Sequence, residues 1–310
     1  MAQLQQAPRE RSVAAGDLEI AFLESGPADG WPVILSHGFP YDVHAYDEVA
    51  PRLLEHGARV VVPYLRGFGP TRFRSAETMR SGQQAALGKD LVALLDALGL
   101  ERAILAGYDW GGLASCVATA LWPERVSGLV SMAGYDVIDV AAMGFAAVPA
   151  LERVMWYQHL FQTERGRDCL ERFRRELCRI LWREWSPSWG FDDETFARTA
   201  ASFDNPDFVD VVIHSYRFDF GLAAGDPALD DLERRLASTP PIVVPAITID
   251  GTQDPLKPGG TAGHARHFTG RHEHRTVQAG HNLPWEAPEA FADAVLTVAE
   301  WSGARPGRRG

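Results

Sequence analysis

Cysteine is scarce: Cys116, Cys169 and Cys178 are the only three in 310 residues, odd in number and without a C-x-x-C pair. That argues against a disulfide framework or a zinc site and makes a reducing compartment the default. Positive charge is short as well. With 30 Lys and Arg against 41 Asp and Glu, the formal net charge is -11, the wrong sign for nucleic acid or an anionic membrane as the main partner. No apolar run approaches the length that spans a bilayer, and Met1-Ala2-Gln3-Leu4-Gln5-Gln6 lacks the apolar core of a secretion signal. A soluble, cytoplasmic protein is expected. What the chain does have is 46% hydrophobic and 23% charged residues, enough to bury one large α/β domain, alone or with an insertion.

Residues 1 to 10 and the tail from about Gly303 are polar or rich in Gly and Pro and are expected to fray. From Arg11 to about Glu24, alternation with a turn at Ala15-Gly16-Asp17 predicts an antiparallel hairpin, followed by a buried strand over Pro32–Ser36 that ends at His37-Gly38-Phe39-Pro40. A helix over about Ala45–Glu55, a strand over Arg59–Pro63 and a helix carrying Leu87, Leu91, Leu94, Leu95 and Leu98 come next. Gly99 stops that helix. The short strand Ala103–Ala106, a helix from about Gly111 to Leu121 and the strand Val126–Met132 complete an alternating pattern, which means a mostly parallel, doubly wound sheet. After Gly134 only helical periodicities follow until about Pro240, as in an inserted cap. Leu170, Phe173, Leu177, Ile180 and Leu181 mark one amphipathic helix there, and Phe208, Val211, Val212 and Ser215 another. Arg174, Arg175, Arg179 and Arg183 read as a solvated face. The sheet resumes with Val243–Ile249, a short helix over about Gly260–Phe268 and a strand over His274–Gln278, and a helix over about Pro288–Trp301 closes the chain. The predicted organisation is a core of residues 1–134 and 241–310 with a helical cap of residues 135–240.

The stretch Gly107-Tyr108-Asp109-Trp110-Gly111, between a buried strand and a helix, has the form G-x-D-x-G. It is the nucleophile elbow G-x-S-x-G of α/β-hydrolases with aspartate for serine. A carboxylate with a reference pKa of about 3.9 is already ionised at neutral pH, and its useful target is a saturated carbon with a strained or good leaving group. The bland alternative is that Asp109 merely caps the following helix. Downstream, Asp254 follows a buried strand, and Gly280-His281-Asn282 follows the last strand, in the order nucleophile, acid, histidine. Asp136, just past an earlier strand, is a rival for the acid. His264, His267, His272 and His274 match a metal site only loosely and read as surface residues; no metal or cofactor is expected.

These features, with His37-Gly38-Phe39-Pro40, Arg66-Gly67-Phe68-Gly69, Trp122-Pro123-Glu124-Arg125-Val126 and Gly280-His281, resemble the epoxide hydrolases of the α/β-hydrolase fold, with haloalkane dehalogenases as close relatives. The resemblance spans about Val33 to Leu296 and departs at Tyr108, where the family most often has histidine. It implies two cap tyrosines that donate to the epoxide oxygen, for which Trp156-Tyr157-Gln158 and His214-Ser215-Tyr216-Arg217 supply Tyr157 and Tyr216. It further implies opening of an epoxide to a diol through an ester on Asp109, which water activated by His281 hydrolyses. The backbone N–H groups of Phe39 and Trp110 are expected to form the oxyanion hole, and His37, Phe39 and Trp110 to touch substrate. The expected partners are a small apolar epoxide and water, with a homodimer allowed. A dehalogenase would share the aspartate, but Phe39 offers no donor to a halide. The third reading is a hydrolase fold that only binds a small ligand.

Overall fold

The parallel strands that carry the elbow lie at the centre of one nine-stranded sheet in a computed structural model that describes residues 8–305. The strands are β1 (Arg9–Ala15), β2 (Leu18–Ser25), β3 (Trp31–Ser36), β4 (Ala58–Pro63), β5 (Arg72–Phe73), β6 (Ala103–Gly107), β7 (Val126–Met132), β8 (Ala246–Gly251) and β9 (His272–Val277). Their order is β1-β2-β4-β3-β6-β7-β8-β9, with β5 on β2. From β4 onward every neighbour is parallel, and the β1–β2 hairpin adds antiparallel strands at one edge. Helices α1 (Val49–Leu54), α2 (Gln84–Ala97) and α3 (Trp110–Leu121) follow successive core strands. Between β7 and β8 the chain is helical: α4 (Pro149–Val154), α5 (Trp156–Phe161), α6 (Glu164–Trp185), α7 (Asp193–Ala200), α8 (Phe208–Asp219) and α9 (Asp230–Ala237). Two more, α10 (Leu283–Glu286) and α11 (Pro288–Trp301), end the chain. Helices α2, α3 and α9 pack together, as α1 and α11 do, and the strands between them are almost wholly buried, as doubly wound sheets require.

Several local expectations need correction, each for a physical reason. Arg9 and Glu10 pair with Glu24 and Leu23 in β1, so the predicted fraying does not extend to them; residues 1–7 and 306–310 lie outside the described residues. The helix expected over Ala45–Glu55 is a 3₁₀ turn, Val43–Tyr46, and then α1, whose first turn accommodates Pro51 because its missing N–H is not needed there. Strand β8 starts at Ala246 rather than Val243, since Pro245 has no N–H for the ladder and Val243 is half exposed. In α6 the buried face runs through Leu170, Leu177, Cys178, Leu181, Trp182 and Trp185. At roughly 100° per residue Phe173 and Ile180 fall well off that face. Both are nearly half exposed, and the helix kinks at Phe173. The histidines expected at the surface are half-buried: the His267 ring stacks on Tyr135, His272 stacks on Phe268, and His274 approaches Asp250.

The helical insertion is tied to the sheet by buried polar bonds. Asp42 accepts from Thr199 Oγ1 at 3.1 Å and Ser202 Oγ at 2.6 Å, Asn205 donates to the carbonyls of Gly69 and Thr71, and Trp182 Nε1 donates to Pro40 O at 2.8 Å. Arg66 of the Arg66-Gly67-Phe68-Gly69 motif makes a buried two-pronged pair with Asp90, 2.7 Å for each bond, and donates to Ser81 O. That pair pins the loop after β4 onto α2 and does not reach the cavity described below; breaking it by removing one partner would typically destabilise by about 3–5 kcal/mol.

Candidate active site

The carboxyl ends of the parallel strands bring the chemical groups together, as the crevice of an open α/β sheet does. Asp109 stands between β6 and α3 at φ 50 and ψ -129, a conformation that L residues rarely adopt. The close approach that holds it there forbids side chains nearby: a Cβ on Gly38 would sit 2.4 Å from Asp109 Cβ, and one on Gly111 would sit 1.9 Å from Ser36 O. Asp109 Oδ1 accepts from Phe39 N and Trp110 N, both at 2.6 Å. An ordinary cap bonds the second or third N–H of its helix, whereas here the partners are the first N–H of α3 and an N–H 70 residues away. The carboxylate is therefore gripped from two loops.

Its other oxygen, Oδ2, lies 3.2 Å from His281 Nε2, and His281 Nδ1 lies 2.9 Å from Asp254 Oδ2. Asp254 is fixed in turn by Leu256 N donating to Oδ1. Trp185 O of α6 accepts from His281 N at 3.0 Å, and the Trp185 ring meets the imidazole edge to face. Burial alone would push the His281 pKa down, but Asp254 and Asp109 on either side lift it to about 10. The resting ring is thus an imidazolium between two carboxylates. Asp136 is instead engaged by Lys257, whose Nζ donates to Asp136 Oδ1 at 3.0 Å.

A cavity of about 550 Å³ opens between sheet and insertion, lined by Asp109, Trp110 and His281 below and by Tyr157 and Tyr216 above. Tyr157 comes from α5 and Tyr216 from α8, and their rings stand perpendicular at 5.4 Å. Burial raises both phenol pKa values, and the Asp109 charge adds to this, so both keep their protons at neutral pH. Gln158 Nε2 donates to Tyr157 OH at 2.8 Å. Phe39 is fully buried among Trp110, Tyr157, Trp185 and Tyr216, and what it turns toward Asp109 is its N–H.

His37 does not meet the expectation that it touches substrate. Its side chain is fully buried, Nδ1 bonds Gly38 O at 2.9 Å and Nε2 accepts from Leu65 N at 3.1 Å, so it braces the loop from behind. Burial pushes its pKa down to about 4, in keeping with a neutral ring that donates at one nitrogen and accepts at the other. Three groups around the site were missed from sequence. Trp185 sits against His281, Lys257 lies three residues past Asp254 and is one of only two lysines in the chain, and Asp219 ends α8 one turn past Tyr216. Burial drives the Asp219 carboxyl well above its usual range. The scarcity of lysine was the one signal available for any of them. No group of three or more His, Cys, Asp or Glu among the described residues could hold a metal ion, and no described helix is long and apolar enough to cross a membrane.

The chain belongs to the α/β-hydrolase fold family, whose family profile matches residues 32–288. Over 143 residues it is 33% identical to epoxide hydrolase A of Mycobacterium tuberculosis, covering 46% of this chain and 42% of that protein. Over 109 residues it is 34% identical to a haloalkane dehalogenase of Psychrobacter cryohalolentis, covering 35% of each. These alignments span less than half the length of the curated relatives. A solved structure from Klebsiella pneumoniae, provisionally assigned as an epoxide hydrolase, superposes with a TM-score of 0.91 at 43% identity, over 94% of this chain and 97% of that one.

Proposed function

We propose that this protein hydrolyses epoxides to vicinal diols through a covalent ester on Asp109. The observation that carries the reading is the division of labour on one carboxylate. Oδ1 is held by two backbone N–H groups and Oδ2 lies 3.2 Å from His281 Nε2, while Asp109 lines the cavity that two protonated tyrosines also line. The relatives named as epoxide hydrolases lend support.

Asp109 Oδ2 attacks a ring carbon, the carbon–oxygen bond breaks, and the ring oxygen takes a proton from Tyr157 or Tyr216 of the cap, because a bare alkoxide is too basic to leave. Esterification removes the negative charge of Asp109. One of the two carboxylates that hold the His281 pKa near 10 is then gone, so the imidazolium gives up its proton, which restores the tyrosinate left by ring opening, and becomes a base. His281, oriented by Asp254, takes a proton from water, and the hydroxide attacks Cγ of Asp109. Negative charge develops on Oδ1, where Phe39 N and Trp110 N already point. Collapse breaks the bond from Cγ to the alkyl oxygen, which takes the proton from His281 and leaves as the diol; Asp109, now a carboxylic acid, passes its proton to His281 and the resting ion pair returns.

One observation favours a second reading, haloalkane dehalogenation: Trp185 Nε1 is buried with no hydrogen-bond partner among the described residues, and with Trp110 it could hold a halide. Trp185 does not line the cavity, however, whereas both tyrosines do. A screen of aliphatic and aromatic epoxides beside chlorinated and brominated alkanes separates the readings. Diol release is expected; halide release without diol would make it a dehalogenase, and neither product would leave a ligand-binding protein.

A further inference from the structure

On the sheet side of the cavity, the loops after β7 and β8 bring Asp136 and Lys257 into contact, 3.0 Å apart, in the same wall as Asp109 and His281. Building on the epoxide hydrolase reading, we propose that the Lys257 ammonium, anchored by Asp136, binds a neutral oxygen acceptor on the substituent of the epoxide, so that the substrates are oxygen-bearing epoxides such as glycidyl ethers and esters.

An ammonium has three N–H donors, and Asp136 is the single hydrogen-bond acceptor of Lys257 among the described residues, which leaves donors for a ligand. The neighbouring wall is apolar, formed by Leu113, Ile138, Met155 and Leu256. An ion pair set in such a surface is weak evidence for stability, because apolar residues of similar volume would serve as well or better. It is strong as a recognition element, since a hydrogen bond from a charged donor is stronger than one between neutral groups. The Asp136 charge also keeps the lysine protonated. Charge favours a neutral acceptor over a carboxylate: Asp109, Asp136 and Asp254 face only His281 and Lys257, and Glu152 also lines the cavity, so an anionic substrate would add to a surplus of negative groups. The other lysine, Lys89, pairs with Asp17 on the surface and has no part in this site.

The test compares an isosteric pair, phenyl glycidyl ether with 4-phenyl-1,2-epoxybutane, and a pair of equal chain length, glycidyl butyrate with 1,2-epoxyoctane. Their kcat/KM ratios are measured in the parent, in Lys257→Met and in Asp136→Asn/Lys257→Met, the last leaving no buried charge unpaired. The expected result is a preference for the oxygenated member that drops about tenfold or more in both variants, the size of one hydrogen bond to a charged group. Calorimetric binding of the corresponding diols, 3-phenoxypropane-1,2-diol against 4-phenylbutane-1,2-diol, is read in the same three proteins and needs no turnover. If the parent makes no diol, the activity reading fails, and the same tenfold loss in diol preference still upholds the subsite. Ratios unchanged between the parent and both variants, for both pairs or in diol binding where there is no turnover, overturn it.

Discussion

Replacing His281 by glutamine is expected to leave a protein that takes up one equivalent of epoxide on Asp109 and keeps it. In the proposed mechanism ring opening needs the Asp109 carboxylate and the tyrosines, and glutamine can still sit beside Asp254 in a space of similar size. Hydrolysis of the ester needs a base, and an amide is not one. Loss of a general base typically slows its step by about 10²–10⁴-fold. Turnover should therefore fall by about 10³-fold while a burst of adduct survives. Intact-protein mass spectrometry after mixing should show the mass of one substrate added, and peptide mapping should locate it on Asp109. An unchanged protein mass, or an adduct elsewhere, would remove Asp109 from the nucleophile's role.

The second large effect is expected in the helical insertion between β7 and β8. Tyr157→Phe and Tyr216→Phe each remove one hydroxyl with little change in shape, and the ring oxygen then develops charge with one donor fewer. Losing a donor of this kind typically costs about 2.7–4 kcal/mol of barrier, so each variant should alkylate about 10²-fold more slowly and the double variant at least about 10³-fold. The two changes need not add, because the two rings are in contact and would serve the same ring oxygen. The readout is the single-turnover rate of ester formation with an epoxide. A double variant that alkylates as fast as the parent would mean that the ring oxygen receives its proton elsewhere. Halide substrates supply the control, since a halide leaves without a proton.

Much of the frame was legible along the chain because it is written in local terms. The strand Val126–Met132 and the helix Pro288–Trp301 lie where the sequence puts them: one is a short apolar run, the other opens on a proline that suits a first helical turn. The place of Asp109 between strand and helix was legible because its setting, a buried strand followed by a Gly-rich helix start, is contiguous in sequence. The acid was less legible, since Asp136 and Asp254 both follow strands; what separates them is which one a lysine occupies, a fact of the fold. His37 misled for the opposite reason. It stands two residues from Phe39, whose N–H reaches Asp109, but its own ring turns inward to the backbone of Gly38 and Leu65. In the insertion, periodicity identified the helix Glu164–Trp185 but assigned Phe173 and Ile180 to the wrong face, because a kink and a packing partner set that face together.

The central claim is that the oxygen of water enters Asp109 and the oxygen of Asp109 enters the product. A single turnover with protein in excess over epoxide, run in water enriched in oxygen-18, reads this directly by mass spectrometry of the diol and of the peptide holding Asp109. An unlabelled diol and one oxygen-18 in Asp109 is the predicted result; oxygen-18 in the first-turnover diol with none in Asp109 would mean that water opens the ring itself and would contradict the account.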